Sequence, residues 1–102
     1  MRLMVFFDLP TKTAEDRKIA NSFRRFLIND GYYMVQFSLY TRLCSTIENV
    51  GVHENRLSMN IPNKGSVRSM AVTEKQFSNI KILVGEPRKR DKKVSENQIS
   101  FF

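Results

Sequence analysis

The sequence has a single cysteine and no long apolar run, and both shortages limit the classes of protein that it can encode. Cys44 stands alone among 102 residues, which excludes a disulfide framework or a zinc cluster and favours a reducing cytoplasm. No apolar run reaches the roughly 20 residues of a membrane-spanning helix. The early run 3–7 ends at Asp-Leu-Pro without a small-residue cleavage site, so we expect a cytoplasmic protein with no signal peptide.

Aromatic residues and positive charge, in contrast, are plentiful. The 41% of hydrophobic residues, with eight phenylalanines among them, suffice for one domain with a core and exclude a disordered tail. Seventeen Lys and Arg against ten Asp and Glu give a formal net charge of +7. This excess points to a polyanionic partner such as nucleic acid or an acidic membrane surface, although a merely soluble basic protein would share it.

The first apolar run, Leu3 to Phe7, ends in Asp8 and is followed by a Leu-Pro turn. Its shortness and its position predict a buried central strand that carries a carboxylate at its end. Ligands bind where loops gather at sheet ends, so Asp8 is a candidate metal ligand. The alternative is that Asp8 only opens the turn.

A helix is predicted from Ala14 to Asp30, with Thr13 as its N-cap and Gly31 ending it. On a 3.6-residue period one stripe is apolar and packs on the sheet: Ile19, Ala20, Phe23, Phe26 and Leu27. The opposite stripe is basic and faces solvent: Arg17, Lys18, Asn21, Arg24 and Arg25. We interpret the basic stripe as a phosphate-binding surface rather than only a solvated face, because the whole chain is basic.

The segment Tyr32 to Leu43 is rich in aromatic and β-branched residues that alternate with polar ones. It reads equally well as one long strand or as two short strands with a reversal near 36–38. Arg42, on its polar side, is a further candidate nucleic-acid contact.

A second helix is predicted between Ser45 and Pro62, with Ser45 and Glu48 as a capping box. Gly51, inside this helix, is expected to lower its stability. His53 falls near the polar side of this helix, with no Cys, His or second acid pattern around it, and is interpreted as a surface residue.

The remaining segments are shorter. Strands are predicted at 66–73 and 80–84, separated by a connector at 74–79. Residues 88–93 read as a basic linker, and the apolar tail 98–102 as a strand or anchor for another chain. These features divide the chain into a domain at 1–85 and a linker with a terminal strand at 86–102.

The order β-α-β-β-α-β predicts an α+β, ferredoxin-like domain with an extra C-terminal strand. Its helices cover one sheet face, and the other face is expected to pair with a second copy across a two-fold axis. Such a homodimer would bring two copies of Asp8 together, and Mg²⁺ is usually held by one or two carboxylates plus water. We therefore expect a shared Mg²⁺, or another divalent cation, that acts on a phosphodiester.

Three segments resemble a known family: MVFFDLPT, TAEDRKIANSFRRFLINDGYYMVQFSLYTRLC and GSVRSMAVTEKQF. They are similar to the small CRISPR-associated endonuclease that forms the spacer-acquisition complex with the CRISPR integrase, in its type II version. The resemblance covers about the first 85 residues, and the combination of segments is more specific than any one of them.

The resemblance implies a ferredoxin-like homodimer whose metal-binding acid is Asp8, with nuclease activity on single-stranded RNA or double-stranded DNA. It also implies a role in antiviral defence, in which the dimer binds duplex DNA and bridges integrase dimers. Family members use a C-terminal strand for pairing, which makes Ile99, Phe101 and Phe102 candidate partner contacts. Two alternatives are a DNA-binding bridge without catalysis and a general RNA-binding module. The latter lacks its aromatic signature here.

Overall fold

Strands and helices alternate along the part of the chain that the computed structural model describes, residues 1–86. The elements in order are β1 (Arg2–Asp8), α1 (Ala14–Asn29), β2 (Tyr33–Gln36), β3 (Leu39–Leu43), α2 (Ile47–Ser58), β4 (Ser66–Val72) and α3 (Glu74–Ser78). The strands form an antiparallel sheet in the order β2-β3-β1-β4. The predicted ferredoxin-like βαββαβ arrangement is confirmed, with β1 inside the sheet.

Helix α1 begins as the sequence predicts. The Thr13 hydroxyl accepts a hydrogen bond from the Asp16 backbone N–H at 3.0 Å, which satisfies one of the unpaired donors of the first turn. The helix ends one residue earlier than expected, and Asp30 is its C-cap. Gly31 follows with φ of +94°, a conformation that favours glycine.

The main core lies between the sheet and the two long helices. Because side chains alternate along a strand, Leu3, Val5 and Phe7 of β1 point to the same side. They join one buried cluster with residues of both helices and of the neighbouring strands: Phe23, Leu27, Tyr32, Tyr40, Cys44, Val50 and Leu57. Phe7 meets Phe23 edge to face, with ring centroids 5.3 Å apart.

The opposite side of the sheet, which we call the outer face, bears Met4, Phe6 and Asp8 of β1. Phe77 of α3 packs there with Met4 and Val72. Arg2 holds α3 in place: its Nε lies 2.7 Å from Glu74 Oε2, and its guanidinium carbon lies 4.2 Å from the centre of the Phe77 ring. The Arg2 end of the outer face is therefore covered, and the Asp8 end is open.

Two strands, not one, occupy the segment 32–43. The chain reverses at Phe37 and Ser38, and Ser38 supplies the positive φ of +68° that a tight reversal needs. A serine rarely adopts a positive φ, and no glycine marks the reversal in the sequence. The sequence alone therefore could not decide between one strand and two.

Three sequence-based expectations about α2 and α3 are wrong. The cap of α2 is Thr46, which accepts from the Asn49 N–H, rather than Ser45. His53 is buried, with 6% of its surface exposed, rather than on the surface. The expected connector at 74–79 contains α3, because Thr73 and Gln76 form a reciprocal capping box.

The strand expected at 80–84 is also absent, since these residues carry no strand pairing among residues 1–86. An apolar run forms a strand only when it pairs with another strand, and these residues pair with neither edge strand of the described sheet, β2 or β4. The predicted basic linker 88–93 and the tail with Ile99, Phe101 and Phe102 lie outside the described residues. The division at 85/86 stays a prediction.

Residues 1–86 contain no helix of the length and apolarity that crossing a membrane requires.

Candidate metal site and basic surface

Asp8 is the last residue of β1 and is exposed on the outer face. It pairs directly with Ser66, the first residue of β4. On the other side of β1, the Phe7 backbone N–H donates to the Ser38 carbonyl oxygen at 3.0 Å. Asp8 is thus held between the β2-β3 turn and the start of β4 by main-chain contacts.

Gly65 fixes the main chain of Asp8 from the β4 side. A Cβ at this position would lie 2.4 Å from the Asp8 carbonyl oxygen, and the glycine has φ of +85°. Both the space and the conformation exclude a side chain here. The β4 backbone therefore approaches the candidate acid more closely than any other residue type would allow.

The Asp8 carboxylate is available to a ligand. Among residues 1–86 it makes no hydrogen bond or ion pair, and this range contains no group of three His, Cys, Asp or Glu suited to a metal ion. Asp8 itself contributes a single carboxylate. That donor set fits Mg²⁺, which keeps several waters, and it rules out a metal cage built from these residues alone.

The basic stripe of α1 divides into engaged and free side chains. Arg17 donates through Nη1 to the carbonyls of Thr11 and Lys12, at 3.1 Å each, and so closes the β1-α1 loop. Arg24 bonds Asn21 at 3.2 Å, and its guanidinium carbon lies 5.8 Å from the centre of the Phe7 ring.

Lys18 and Arg25 complete the stripe as exposed side chains. Neither forms a hydrogen bond or ion pair with another residue of the described chain. They are the members of the stripe with charge most available to a phosphate. The predicted role of all four basic residues stays a prediction.

Arg42 lies elsewhere, in a cluster that joins α1, β3 and α2. Its Nη1 donates to the Asp30 carbonyl and lies 3.2 Å from His53 Nδ1, while its Nε donates to Leu43 O at 3.1 Å. Its predicted contact with nucleic acid stays a prediction, and this guanidinium is already engaged with the protein.

The same cluster contains an ion pair that sequence reasoning missed. Asp30 Oδ2 lies 2.8 Å from His53 Nδ1, and Asp30 Oδ1 accepts from Arg56 at 2.8 Å. Burial alone would raise the pKa of Asp30, but the hydrogen bonds from His53 and Arg56 outweigh it and hold that pKa below its usual value. The cluster ties the end of α1 to α2.

The α1 stripe and Asp8 belong to different sides of the sheet. Ala20, Phe23 and Leu27 of α1 are buried, and the basic residues of the stripe lie on the opposite side of the helix. Lys18 and Arg25 are exposed, whereas the Arg24 guanidinium reaches the ring of Phe7. Asp8 lies on the outer face. Among residues 1–86 no hydrogen bond or ion pair joins the Asp8 carboxylate to the stripe, although Arg24 contacts the ring of Phe7, the residue before Asp8.

Two residues near Asp8 were also missed. Arg68 pairs with Phe6, which places it on the outer face one step from Ser66. Phe37, in the β2-β3 turn, is 81% exposed. Arg68 follows Ser66 by two residues, so the two side chains lie on the same face of β4. This places Arg68 near Asp8 only when the pairing of Ser66 with Asp8 is known.

Comparisons with known proteins agree on one family. The family model described as CRISPR associated protein Cas2 matches residues 1–80. A curated relative from Acidovorax ebreus, named CRISPR-associated endoribonuclease Cas2, is 50% identical over the full length of both chains. A relative of the same name from Ligilactobacillus salivarius is 40% identical over 97% of this chain and 98% of its own.

A solved structure supports the fold. The crystal structure of Streptococcus pyogenes Cas2 at pH 6.5 matches with a TM-score of 0.62 and 22% identity, covering 82% of this chain and all of that one. At this identity the likeness concerns the fold alone.

Proposed function

Since the chain belongs to the family of CRISPR-associated Cas2 proteins, we propose that it is a metal-dependent endonuclease of CRISPR adaptation with Asp8 as its metal-binding acid. The observation that carries this proposal is the exposed, unpaired Asp8 at the end of an inner strand. A carboxylate on a rigid strand, held by main-chain contacts on both sides, has the fixed position that catalysis needs.

Single-stranded RNA is the favoured substrate. The curated relatives at 50% and 40% identity are named endoribonucleases, which agrees with the nuclease predicted from the sequence. Double-stranded DNA is the alternative substrate that the sequence resemblance implies. The cysteine usage fits action in a reducing cytoplasm.

Mg²⁺ is the proposed cofactor, held by Asp8 from each of two protomers. When bound, this ion would neutralise charge on the phosphodiester and lower the pKa of a water molecule. The chain's own contribution is positional, because the register with β4 and the Phe7–Ser38 hydrogen bond hold the main chain at Asp8 and so place its side chain on the outer face. Two carboxylates at the two-fold axis match the usual Mg²⁺ ligand set.

Asp8→Asn tests this proposal because it keeps the size of the side chain and removes the charge. We expect cleavage of a single-stranded RNA to require Mg²⁺, to stop on addition of EDTA and to fall at least about a hundredfold in the variant. Glu54→Gln is the matched control, since Glu54 is an exposed acid of α2. Cleavage by Asp8→Asn at the wild-type rate would refute the nuclease assignment.

A second function, favoured by the α1 stripe, is that of a bridge between integrase dimers. The dimer would bind duplex DNA through basic side chains that lie beyond the helix layer, on the other side of the sheet from Asp8. Phosphate contacts of this kind give affinity without reading sequence. Because the two surfaces are separate, the bridging role does not need the nuclease.

Reversal of charge at Lys18 and Arg25 tests the bridge. These residues are exposed, whereas Arg17 and Arg24 also hold the fold. The double variant Lys18→Glu/Arg25→Glu is expected to lose duplex binding and spacer acquisition while it still cleaves RNA, and Asp8→Asn is expected to do the reverse. Normal acquisition by the double variant would remove α1 from the proposed DNA surface.

A further inference from the structure

We propose that a groove along one side of α1 is a docking site for an acidic amphipathic helix of another protein. The groove lies between α1 and the loop 59–65, which joins α2 to β4, and has a volume of about 220 Å³. We call it the α1 groove. It does not include Asp8, so the proposal goes beyond the nuclease function and does not depend on it.

The walls of the α1 groove are largely apolar and come from two elements. Ile19 and Phe26 of α1 line one wall, and Ile61 and Pro62 of the loop line the other. Ile61 is 52% exposed, whereas Phe26 is partly buried against the main core. Apolar surface in contact with water costs free energy, and a partner that covers it recovers that energy.

The α1 groove stays open in the proposed dimer. Phe23 forms part of its lining and also belongs to the main core, which lies between the sheet and the helices. The second copy is expected on the outer face, which bears Phe6 and Met70 on the other side of the sheet. A second copy on that face therefore does not cover the groove.

The size of the α1 groove favours a protein side chain over a small molecule. Pockets that bind drug-sized ligands have volumes of about 300–1,000 Å³, and this groove has about 220 Å³. It has room for roughly one or two large apolar side chains, the kind of anchor with which an amphipathic helix binds in a groove.

Two exposed cations border the wall that α1 supplies. Lys18 precedes Ile19, and Arg25 precedes Phe26. Neither cation forms a hydrogen bond or ion pair with another residue of 1–86. Their seven-residue spacing corresponds to two helical turns, about 10 Å along the axis. A partner helix with two acidic residues at the same spacing would match both cations.

The acidic side chains beside the α1 groove do not cancel this positive charge. Asp16 is buried and lies 3.7 Å from Lys64, so these two opposite charges offset each other. Glu15 is exposed near Lys18 in the first turn of α1. Two cations, Lys18 and Arg25, thus stand against one acid, and the complementary partner is acidic.

Duplex DNA is the competing occupant, because Lys18 and Arg25 are also the proposed phosphate contacts. Phosphates would engage the two cations but leave the apolar walls uncovered, since the backbone of a duplex presents charge and sugar. The C-terminal tail of this chain matches poorly in charge, because the preceding residues 88–93 contain five bases and one acid. Apolar walls beside the cations therefore favour a protein partner, which would compete with DNA.

Titration of the ¹⁵N-labelled full chain with a synthetic peptide tests the α1 groove by NMR. The probe is an alanine-rich peptide of about 18 residues, long enough to form a helix. It carries two leucines seven residues apart and, beside them, two glutamates at the same spacing. We expect amide shifts at Ile19, Phe26 and Ile61. The peptide with glutamine in place of both glutamates should bind about threefold more weakly or worse, since two exposed ion pairs are lost.

Ile61→Ser and Ile28→Ser separate the α1 groove from the rest of the helix layer. The two isoleucines are 52% and 53% exposed, but Ile28 does not line the groove. Ile61→Ser is expected to weaken peptide binding about fivefold or more through the lost apolar contact, and Ile28→Ser to stay within about twofold of wild type. Lys18→Gln/Arg25→Gln should bind the glutamate and glutamine peptides equally.

The absence of shifts at the groove with millimolar peptide would overturn the docking site, as would equal weakening by Ile61→Ser and Ile28→Ser. Duplex binding by Ile61→Ser separates the two occupants: unchanged duplex binding supports the protein site, and a loss as large as that for the peptide would assign the groove to DNA. Asp8→Asn should bind the peptide as wild type does, so the groove and the nuclease proposal can fail separately.

Discussion

The position of Asp8 depends on a residue that has no side chain. Gly65 occupies the space beside the Asp8 carbonyl, and its φ of +85° is one that other residues adopt only with strain. The carboxylate itself was predictable from the end of an apolar run. The support from Gly65 was not predictable, because Asn63, Lys64 and Gly65 are typical of a turn whatever their distance from β1.

Gly65→Ala is therefore expected to destabilise the fold by about 2 kcal/mol or more, from the clash and the backbone strain together. Urea denaturation measures this free energy of unfolding. Gly85→Ala is a matched control, since that glycine also has a positive φ, +105°, but a Cβ there meets nothing within 4 Å. Equal effects of the two changes would contradict the close approach at Asp8.

Asp30 gives a residue-scale prediction for pH. Its pKa is lower in the folded chain than its usual value, because the His53 and Arg56 hydrogen bonds outweigh burial. A lowered pKa stabilises the fold above the usual value of about 4 and ceases to do so as the pH falls through the folded value. The stabilisation is thus present at neutral pH and lost in acid.

Asp30→Asn should accordingly be less stable than wild type by about 1–3 kcal/mol at pH 7, the range for hydrogen bonds to charged groups. The gap should narrow as the pH falls below about 4. Urea denaturation at several pH values between neutral and acid measures this difference in the free energy of unfolding. Glu54→Gln, a change at an exposed acid, is the control. A gap that stays constant in acid would show that the Asp30 charge does not stabilise the fold.

At the scale of elements, capping residues and hydrophobic periodicity predicted the features that depend on residues close in sequence, such as where a helix begins and which of its sides is buried. Thr13 and the buried stripe of α1 are examples. His53 shows a signal that was present but not used: it lies three residues after Val50 and four before Leu57, on the buried side of α2. The interpretation as a surface residue relied on the absence of a local partner, and Asp30 lies 23 positions away.

The secondary structure of residues 74–84 was harder to predict because it depends on tertiary contacts with the sheet. Arg2, at the other end of the chain, bonds Glu74 and contacts the Phe77 ring, so α3 is stabilised by tertiary contacts that its five residues could not replace. The apolar run 80–84 pairs with none of the described strands, so its apolar composition alone did not make it a strand.

Gly51 supplies a prediction for α2. It lies inside the helix, has no positive φ, and a Cβ would meet nothing within 4 Å. Gly51→Ala should therefore stabilise the protein by about 0.5–1 kcal/mol, by lowering the backbone entropy lost on folding. Thermal denaturation measures the gain. Gly31→Ala is the contrasting change, and with φ of +94° it should destabilise; a loss of stability in Gly51→Ala would contradict the open helical site.

For the whole molecule, the two sides of the sheet have different surfaces. The helix layer carries the basic stripe, whereas the outer face carries exposed apolar side chains of three strands, Phe6, Leu43 and Met70. Such a patch on a small protein marks an interaction site. A second copy is the occupant we expect, because the proposed Mg²⁺ site needs an Asp8 from each of two protomers.

Met70→Arg tests this assembly, because it places a charge in the middle of the proposed interface. We expect wild type to sediment as a dimer and the variant to shift toward monomer, with loss of Mg²⁺-dependent cleavage in proportion, since each monomer retains only one Asp8. Met59→Arg is the matched control: Met59 is 69% exposed at the end of α2, beyond the helix layer, whereas Met70 is 50% exposed on the outer face. A Met70→Arg protein that is monomeric and still cleaves at the wild-type rate would show that one carboxylate suffices, and the shared site would then be wrong even though Asp8 is the acid.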